Sequence, residues 1–284
     1  MDQWTGADTV RCYTLVMVRM LKFALLIAVI GSAIVGVLLI APIPQDVSYH
    51  SFFDQRSMYG IPNFWNVVSN LPFLLVGLSG FYLLHSYPQN VYLKQNRILY
   101  LMFSFALCLV ALGSSYYHLH PSNNTLIWDR LPMTLAFMSF FCIVLSDYIS
   151  HRLAVIALFP LIALAVASVI YWHHTESIGA GDLRFYALVQ FLPMVLVVLI
   201  LMMFNQERLH SHLIWATLVG YALAKACEVF DHEIYGFLGV VSGHSIKHVI
   251  AALSAYLLIS RGEKVALIKQ ALHRQYTEHT DRVI

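Results

Sequence analysis

Residues 113–130 read GSSYYHLHPSNNTLIWDR, a polar stretch between two long apolar runs. It carries Ser114, His118 and Asp129, which can bind a metal or move a proton. A second polar stretch far downstream, residues 242–248 (SGHSIKH), carries two histidines, His244 and His248. We expect these two stretches to meet at a metal ion, and the rest of the chain to form a membrane scaffold that holds them together.

The composition places the chain among integral membrane proteins. Of its 284 residues, 59% are hydrophobic and only 11% are charged, and the mean hydropathy is +0.70. A soluble domain carries about 25% charged residues. The net charge of +2 gives no reason to expect a nucleic-acid partner. The four cysteines have no CxxC spacing, which favours small packing residues over a disulfide framework or a zinc cluster.

Apolar runs of about 20 residues predict an all-α polytopic membrane protein with eight spans. A polar N-terminus (1–14) precedes an uncleaved extra span (15–41), and an outer loop (42–61) follows it. A seven-helix catalytic core (62–261) and a polar cytoplasmic tail (262–284) complete the chain. The core spans are predicted at 62–86, 96–118, 125–147, 152–172, 184–204, 211–230 and 244–261.

The distribution of Lys and Arg predicts that both termini are cytoplasmic. In that orientation the outer segments hold only Arg56, Arg130 and Arg184, and the other basic residues of the polar segments lie inside. The predicted helix ends then place four residues near the outer leaflet at similar depth: His118, Asp129, His244 and His248. The count of spans did not require this agreement.

The residue types in these stretches are typical of a catalytic zinc site. His244 and His248 are four residues apart on a predicted helix, so their imidazoles lie on one face, and His118 is the third nitrogen ligand. Three protein ligands leave a position for a water, whose pKa zinc lowers to about 7. Asp129 is placed to take the water's proton, and Ser114, one turn before His118, to stabilise an oxyanion. The alternative is that these histidines are solvated at the interface, but ionisable groups inside membrane segments are costly and usually functional.

The ordered set Ser-x3-His, Asp and a late His-x3-His across seven spans resembles the alkaline ceramidase family, within the superfamily that includes the adiponectin receptors. The segments GIPNFWNVVSNLPFLLVG (60–77) and LIWDRLPM (126–133) are similar to the first core helix and the Asp-x2-Pro-Met signature of that family. The resemblance covers about residues 50–261. It implies zinc on the three histidines, Ser114 and Asp129 around the catalytic water, and hydrolysis of the ceramide amide to a sphingoid base and a fatty acid.

The sequence departs from this family in two places. One is the extra N-terminal span, and the other is the loop that binds calcium in eukaryotic members. That loop keeps Asp54 but has Arg56 beside it, and Asn63 stands where a glutamate is usual. Because calcium needs several carboxylate oxygens, we expect no calcium binding. The degenerate loop and the short connections favour a bacterial inner membrane with the site facing the periplasm.

Other polar residues in the core have two open interpretations each. Three that share a helix face either line a cavity or hydrogen-bond neighbouring helices: Asn66, Ser69 and Asn70. Lys225 and Glu228 are expected to form a buried ion pair that braces the site, with contact to a substrate headgroup as the second interpretation. Aromatic residues at the outer helix ends, Tyr117 and Trp172 among them, are expected to form an interfacial belt.

Three other functions fit parts of the pattern. A related hydrolase would cleave an ester or another lipid amide, because the site chemistry alone does not fix the bond. A receptor-like protein would hold a structural zinc, which normally has a fourth protein ligand. A transporter or proton relay would use intramembrane histidines, but the polar residues gather at one leaflet and no internal repeat is visible. The expected partner is a membrane lipid, and the oligomeric state stays open.

Overall fold

A computed structural model describes residues 6–204 and 210–283, with side chains described for 13–204 and 210–271. The described chain is helical throughout, apart from loops, a 3-10 turn at Val47–His50 and an isolated bridge between Met58 and Ile61. The α-helices are α1 Gly6–Leu39, α2 Phe64–Val68, α3 Leu71–Ser86, α4 Val91–Gln95, α5 Arg97–Leu119, α6 Asn123–Tyr148, α7 His151–Ser177, α8 Arg184–Met203, α9 Ser211–Val229, α10 Asp231–Leu238 and α11 Gly243–Val283.

The predicted all-α polytopic membrane class is confirmed. Within the described ranges, six helices are long and apolar enough to cross a membrane, and a seventh is obtained when α9 and α10 count as one span bent by 78°. Eight spans were expected from the sequence. The difference is α11, whose first turns carry Lys247 between two histidines and are therefore less apolar than a typical span.

The extra N-terminal helix lies at the edge of the bundle. Only 6% of the apolar window of α1 is buried within the protein, so most of its side chains are left for lipid. It packs along α8, where Lys22 donates to the carbonyl oxygen of Met203 and Arg184 donates to that of Ile40. The helix is thus attached to the core by one polar contact at its middle and one just after its C-terminal end.

Several predicted helix boundaries differ from those of the structure: α1 begins at Gly6, within the predicted polar N-terminus, and α7 ends at Ser177 rather than at residue 172. The span expected at 62–86 is broken after Val68. The helix resumes as α3 at Leu71, and Pro72 lies in its first turn, where a helix accepts proline. The helix expected to end at 261 continues as α11 through the described part of the tail. Ser69 and Asn70, the two residues at the break, are both buried in the bundle.

A close approach of α5 and α6 fixes the geometry between the two polar stretches. A Cβ atom on Gly113 would lie 2.0 Å from the carbonyl oxygen of Trp128, so only glycine fits there. Pro132, four residues further along α6, has no N–H to offer that same carbonyl. Ser114 and Asp129 directly follow Gly113 and Trp128, so this contact holds the two residues close to each other.

Candidate metal centre

Three histidines converge at one end of the bundle. His118 lies in the last turn of α5, and His244 and His248 lie in the first turns of α11. Their ring centroids are 4.9 Å (118–244), 5.0 Å (118–248) and 5.1 Å (244–248) apart. One ligand nitrogen from each lies within 4.8 Å of the others, and all three side chains are buried. The two distant polar stretches therefore meet, as the sequence indicated.

The three imidazoles fit a metal ion, because buried nitrogens are left without another partner. Nδ1 of His118 and Nε2 of His244 have no hydrogen-bond partner among the described residues. A buried polar atom without a partner costs free energy of about 1–3 kcal/mol, and a metal ion would remove that cost. Three nitrogen donors with no fourth protein ligand in the described group match an open tetrahedral site.

His248 is hydrogen-bonded at the break between α2 and α3. The Ser69 hydroxyl lies 2.8 Å from Nδ1 of His248 and 3.2 Å from the carbonyl oxygen of Asn66. With its proton on the carbonyl, the hydroxyl would accept from an Nδ1–H of His248, the tautomer in which Nε2 has a lone pair for a metal. Ser69 acts on His248 through a hydrogen bond between helices.

Asn66 and Asn70 contribute to the same region through hydrogen bonds. The Asn66 amide accepts from the Ser245 hydroxyl at 2.7 Å and donates to the Asp54 carbonyl at 3.1 Å, which ties α2 to α11 and to the outer loop. Asn70 donates to the Asn66 carbonyl at 2.8 Å and so holds the chain at the break. These contacts favour the hydrogen-bonding interpretation over cavity lining.

Sequence reasoning missed three residues that position the histidines. Phe52 is buried, and its ring centroid lies 4.7 Å from that of His118 and 4.6 Å from that of His244, so it covers one side of the group. Asp231 accepts the backbone N–H of His244 at 2.6 Å and that of Phe53 at 3.3 Å. Both residues lie outside the motifs, and their contacts arise only when the outer loop folds over the bundle.

The third missed residue is Asn63, which had been considered only as a lost calcium ligand. Its side-chain N–H donates to the carbonyl oxygen of His118 at 2.8 Å and so fixes the end of α5. Its φ of 48° lies in the left-handed region, which asparagine tolerates better than most residues. A glutamate in its place would have no N–H to give this carbonyl.

Ser114 and Asp129 lie beside the histidine group and face a common cavity. Both are buried, and the Asp129 carboxyl lies close enough to the Ser114 hydroxyl for the two side chains to interact. The cavity has a volume of about 360 Å³ and is lined at this end by Ser114, Asp129 and His248. Apolar side chains line most of the remainder, including Phe73, Phe103, Phe140, Met194 and Leu218. We call this space the main cavity.

Comparison with protein-family models gives one match, to the family described as Ceramidase, over residues 56–281. The chain belongs to the ceramidase family. The match begins after the extra N-terminal helix and includes the three histidines, Ser114 and Asp129, and the predicted resemblance is confirmed. Comparisons with curated proteins and with solved structures gave no match.

Membership of the ceramidase family gives the broad activity, a hydrolase that acts on lipid amides. In this member, Lys225 and Lys247 both donate to the Glu228 carboxylate, Lys247 at 2.5 Å, and the Tyr49 hydroxyl donates to it at 3.2 Å. The expected Lys225–Glu228 pair is therefore present, and with Lys247 and Tyr49 it joins α9, α11 and the outer loop, but it is not buried as expected, because the Lys225 side chain is 38% exposed. All four residues line the main cavity.

The expected aromatic belt is wrong for two of its members. Tyr117 and Trp172 are 1% and 0% exposed, in a buried cluster with Phe52 and Tyr186. The Tyr117 hydroxyl hydrogen-bonds Nδ1 of His50 at 2.9 Å, which holds the outer loop against α5. The prediction used only the position of these residues at the outer helix ends. In the structure the outer loop folds over the two rings and buries them.

Asp54, the carboxylate that remains in the loop discussed above as a calcium site, forms an ion pair with Arg56. Arg56 donates to both oxygens of Asp54, at 2.9 Å and 2.8 Å, and the Asp54 side chain is 1% exposed. Burial raises the pKa of this carboxyl, but the hydrogen bonds from Arg56 outweigh that effect, so its pKa lies below the ordinary value. The absence of calcium binding stays a prediction.

Proposed function

We propose that this member of the ceramidase family is a zinc-dependent amidase of the membrane, which hydrolyses ceramide-like lipids to a sphingoid base and a fatty acid. The observation that carries the proposal is the convergence of three buried imidazoles, two with unpartnered nitrogens, next to an apolar cavity. Family membership supports an amide substrate. Zinc is favoured because it binds imidazole nitrogens and keeps one position open in catalytic sites.

The main cavity suits a lipid whose amide lies at the histidine end. Its polar lining is concentrated near Ser114, Asp129 and His248, whereas the rest is made mainly of Phe, Leu and Met side chains. An acyl chain buried there gains the free energy of removing apolar surface from water. The polar end then holds the amide group of the same molecule.

The reaction is a transfer of the acyl group from nitrogen to the oxygen of water. A metal ion on the three imidazoles would act as a Lewis acid and make hydroxide available near neutral pH. Asp129 accepts the proton of the attacking water and returns it to the leaving amine nitrogen as the C–N bond breaks. The Ser114 hydroxyl donates to the carbonyl oxygen as negative charge develops there.

Positioning residues keep these groups in register. Ser69 hydrogen-bonds Nδ1 of His248, Asn63 holds the end of α5, and Asp231 holds the first turn of α11. Residues beyond the metal ligands that orient them commonly change metal affinity or activity by about 10- to 100-fold when removed. The Lys225–Glu228–Lys247 group is proposed as a brace at the same end.

The proposed location is the bacterial inner membrane, with both termini cytoplasmic and the histidines towards the periplasm. The support is the unequal distribution of Lys and Arg between the two sides. A receptor-like protein with a structural metal is less well supported, since the described metal-binding group has three members and structural zinc sites usually have four.

The test is release of sphingoid base from a panel of ceramides by purified protein in nanodiscs, with metal content measured on the same sample. We expect release, loss of release after chelation, and recovery with added zinc. Metal bound to the protein without release from any ceramide would direct the search to other lipid amides and esters. Neither metal nor release would show that the histidine group has been misinterpreted.

A further inference from the structure

Arg130 is a buried cation for which the proposed mechanism has no role. It is 5% exposed and follows Asp129 directly on α6. Its Nη2 donates to the side-chain oxygen of Gln45 at 2.6 Å, and its Nη1 has no hydrogen-bond partner among the described residues. A guanidinium carries five N–H donors, so this one has donors left over in a place that water cannot freely reach.

Aromatic rings hold the guanidinium in place without neutralising it. Its Cζ lies 4.0 Å from the ring centroid of Trp172 and 4.5 Å from that of Tyr186, distances at which a cation is attracted to the ring face. No carboxylate oxygen of the described residues lies within 4.0 Å of its nitrogens. By contrast, Arg184, at the same end of the bundle, pairs with Asp182 at 2.8 Å.

The position of Arg130 gives its free donors access to a lipid. It lines the main cavity together with Ser114, Asp129 and Gln45. The two lysines of the lining, Lys225 and Lys247, share one carboxylate, Glu228. The charged side chains that line the cavity are three cations, Arg130 and these two lysines, and two anions, Asp129 and Glu228. A buried unpaired charge is costly, and an anionic ligand with acceptor oxygens would offset that cost.

We infer that Arg130 binds an anionic oxygen group, a carboxylate or a phosphate, carried by the lipid in the main cavity. Two sources have this chemistry: the carboxylate of the released fatty acid, and the anionic headgroup of an amide lipid. The inference rests on the proposed function for the presence of the lipid, but binding of the anion itself needs no turnover. Arg130 is thus assigned as a residue that selects the ligand.

The first arm of the test measures equilibrium binding of oleate and of oleyl alcohol, which share an alkyl chain and differ in charge. Wild-type protein in nanodiscs is compared with Arg130→Gln and with Arg184→Gln, a control that removes the paired arginine. We expect Arg130→Gln to reduce the preference for oleate by about tenfold or more, the value of a charge-assisted hydrogen bond. Arg184→Gln should leave it unchanged. Carboxylate binding at the histidines is common to all three proteins, so only the change on substitution counts.

The second arm measures hydrolysis of ceramide and of ceramide 1-phosphate by the same proteins. If the headgroup is the source, wild type has the lower KM for the phosphorylated lipid, and Arg130→Gln removes that difference with a smaller change in kcat. If the released fatty acid carries the anionic group, Arg130→Gln lowers the preference for oleate but leaves the two KM values in the same ratio. Added fatty acid then inhibits hydrolysis by this variant less than it inhibits the wild type. Arg130→Lys, which keeps the charge over the rings, should recover part of whichever preference was lost, and this separates anion binding from packing.

Equal preferences in wild type and Arg130→Gln in both arms would overturn the inference, and the proposed amidase would stand unaffected. Absence of hydrolysis with a retained, Arg130-dependent oleate preference would remove the proposed function and leave the inference in place. If Arg130→Gln does not fold, Arg130→Met, which has an unbranched side chain without the charge, serves in both arms, and an unchanged preference in the folded Arg130→Met protein would equally overturn the inference.

Discussion

The three histidines and a second buried polar group at the other end of the bundle differ in how their hydrogen bonds are completed. The second group, which we call the arginine cluster, consists of Tyr92, Tyr100, Asp147 and Arg261. Asp147 and Asp129 lie eighteen residues apart on α6, a helix distance of about 27 Å. Arg261 pairs with Asp147 at 2.5 Å, and Tyr92 donates to the same carboxylate at 3.2 Å. Of these polar atoms, the Arg261 Nε is left without a partner.

The contrast shows how burial of polar groups distinguishes a brace from a site. In the arginine cluster the opposite charges meet each other, and α4, α5, α6 and α11 are held together as a result. In the histidine group the unpartnered nitrogens of two side chains face the same small space, and nothing in the described chain satisfies them. Intramembrane ionisable residues are costly in both groups, but only the histidine group calls for a ligand.

Removal of a histidine ligand should have the largest effect. We expect His244→Ala to reduce the metal content from about one ion per chain to near zero, and turnover to background, because two imidazoles do not hold zinc in a catalytic site. Elemental analysis and sphingoid-base release measure the two quantities. His85→Ala, at an exposed position on α3, is the matched control and should retain both. Wild-type metal content in His244→Ala would contradict the assignment.

The two aspartates of α6 give the most direct test of the comparison. Asp129→Asn should lower turnover by about 10²- to 10⁴-fold, the usual range for a lost general base, while the metal content and melting temperature stay close to wild type. Rates measured under saturating ceramide, together with metal analysis, check this. Full activity in Asp129→Asn would exclude its role in proton transfer.

Asp147→Asn should have the opposite result. It leaves the Arg261 charge buried without its carboxylate, so we expect a loss of roughly 3 kcal/mol in the free energy of unfolding. Turnover per folded molecule should remain near wild type. Denaturant unfolding in mild detergent gives the first quantity, and activity normalised to folded protein gives the second. A variant that is stable but inactive would place the arginine cluster in the catalytic machinery.

Removal of the hydroxyl that holds His248 should have an intermediate effect. Ser69→Ala frees Nδ1 of His248, so the ring loses its hydrogen bond to the hydroxyl, and metal affinity should fall by about 10- to 100-fold. Competition with a chromophoric chelator measures the affinity. Ser79→Ala, on the following helix α3, is the control, since its hydroxyl donates to the carbonyl of Val76 at 2.7 Å, away from the histidines. Equal affinities in the two variants would mean that Ser69 does not position the ligand.

The smallest effect is expected from the Asp54–Arg56 pair in the outer loop. The folded-state pKa of Asp54 lies below its ordinary value of about 4, so the pair stabilises the fold above that pH, and the contribution is lost as the pH falls through the folded pKa. The melting temperature of wild type should exceed that of Asp54→Asn near about pH 6, and the difference should shrink towards about pH 3. A difference that grows at low pH would reverse the sign, and a rise in melting temperature with micromolar calcium would contradict the expected absence of a calcium site.

The sequence was sufficient for those features that depend on spacing within one helix. The i, i+4 pair His244 and His248, the apolar spans, and the Asp-x2-Pro-Met signature follow from local order, and the structure brings the two polar stretches together. The break after Val68 was not predicted, although Pro72, which has no N–H for the carbonyl of Val68, marks it in the sequence. Ser69 and Asn70 make their hydrogen bonds at this break in the folded bundle.

Tertiary contacts of the histidine group could not be read from the sequence. Phe52 of the outer loop and Asn63 contact His118 across more than fifty residues of the chain, and Asp231 at the start of α10 accepts the backbone N–H of His244. The burial of Trp172 has the same origin, since its partner Arg130 is held by Gln45 of that loop. An apolar pattern identifies which segments are helical, but it carries no information on how a loop closes over their ends.

The placement of two ligands at the start of α11 has a consequence for how the protein is made. A ribosome adds about 5–20 residues per second, so the 126 positions between His118 and His244 correspond to roughly 6–25 seconds of synthesis. During that interval the nascent chain has one of the three imidazoles that are proposed to hold the metal. On this proposal, metal acquisition is a late event in biogenesis, because two of the ligands are synthesised only with the last helix.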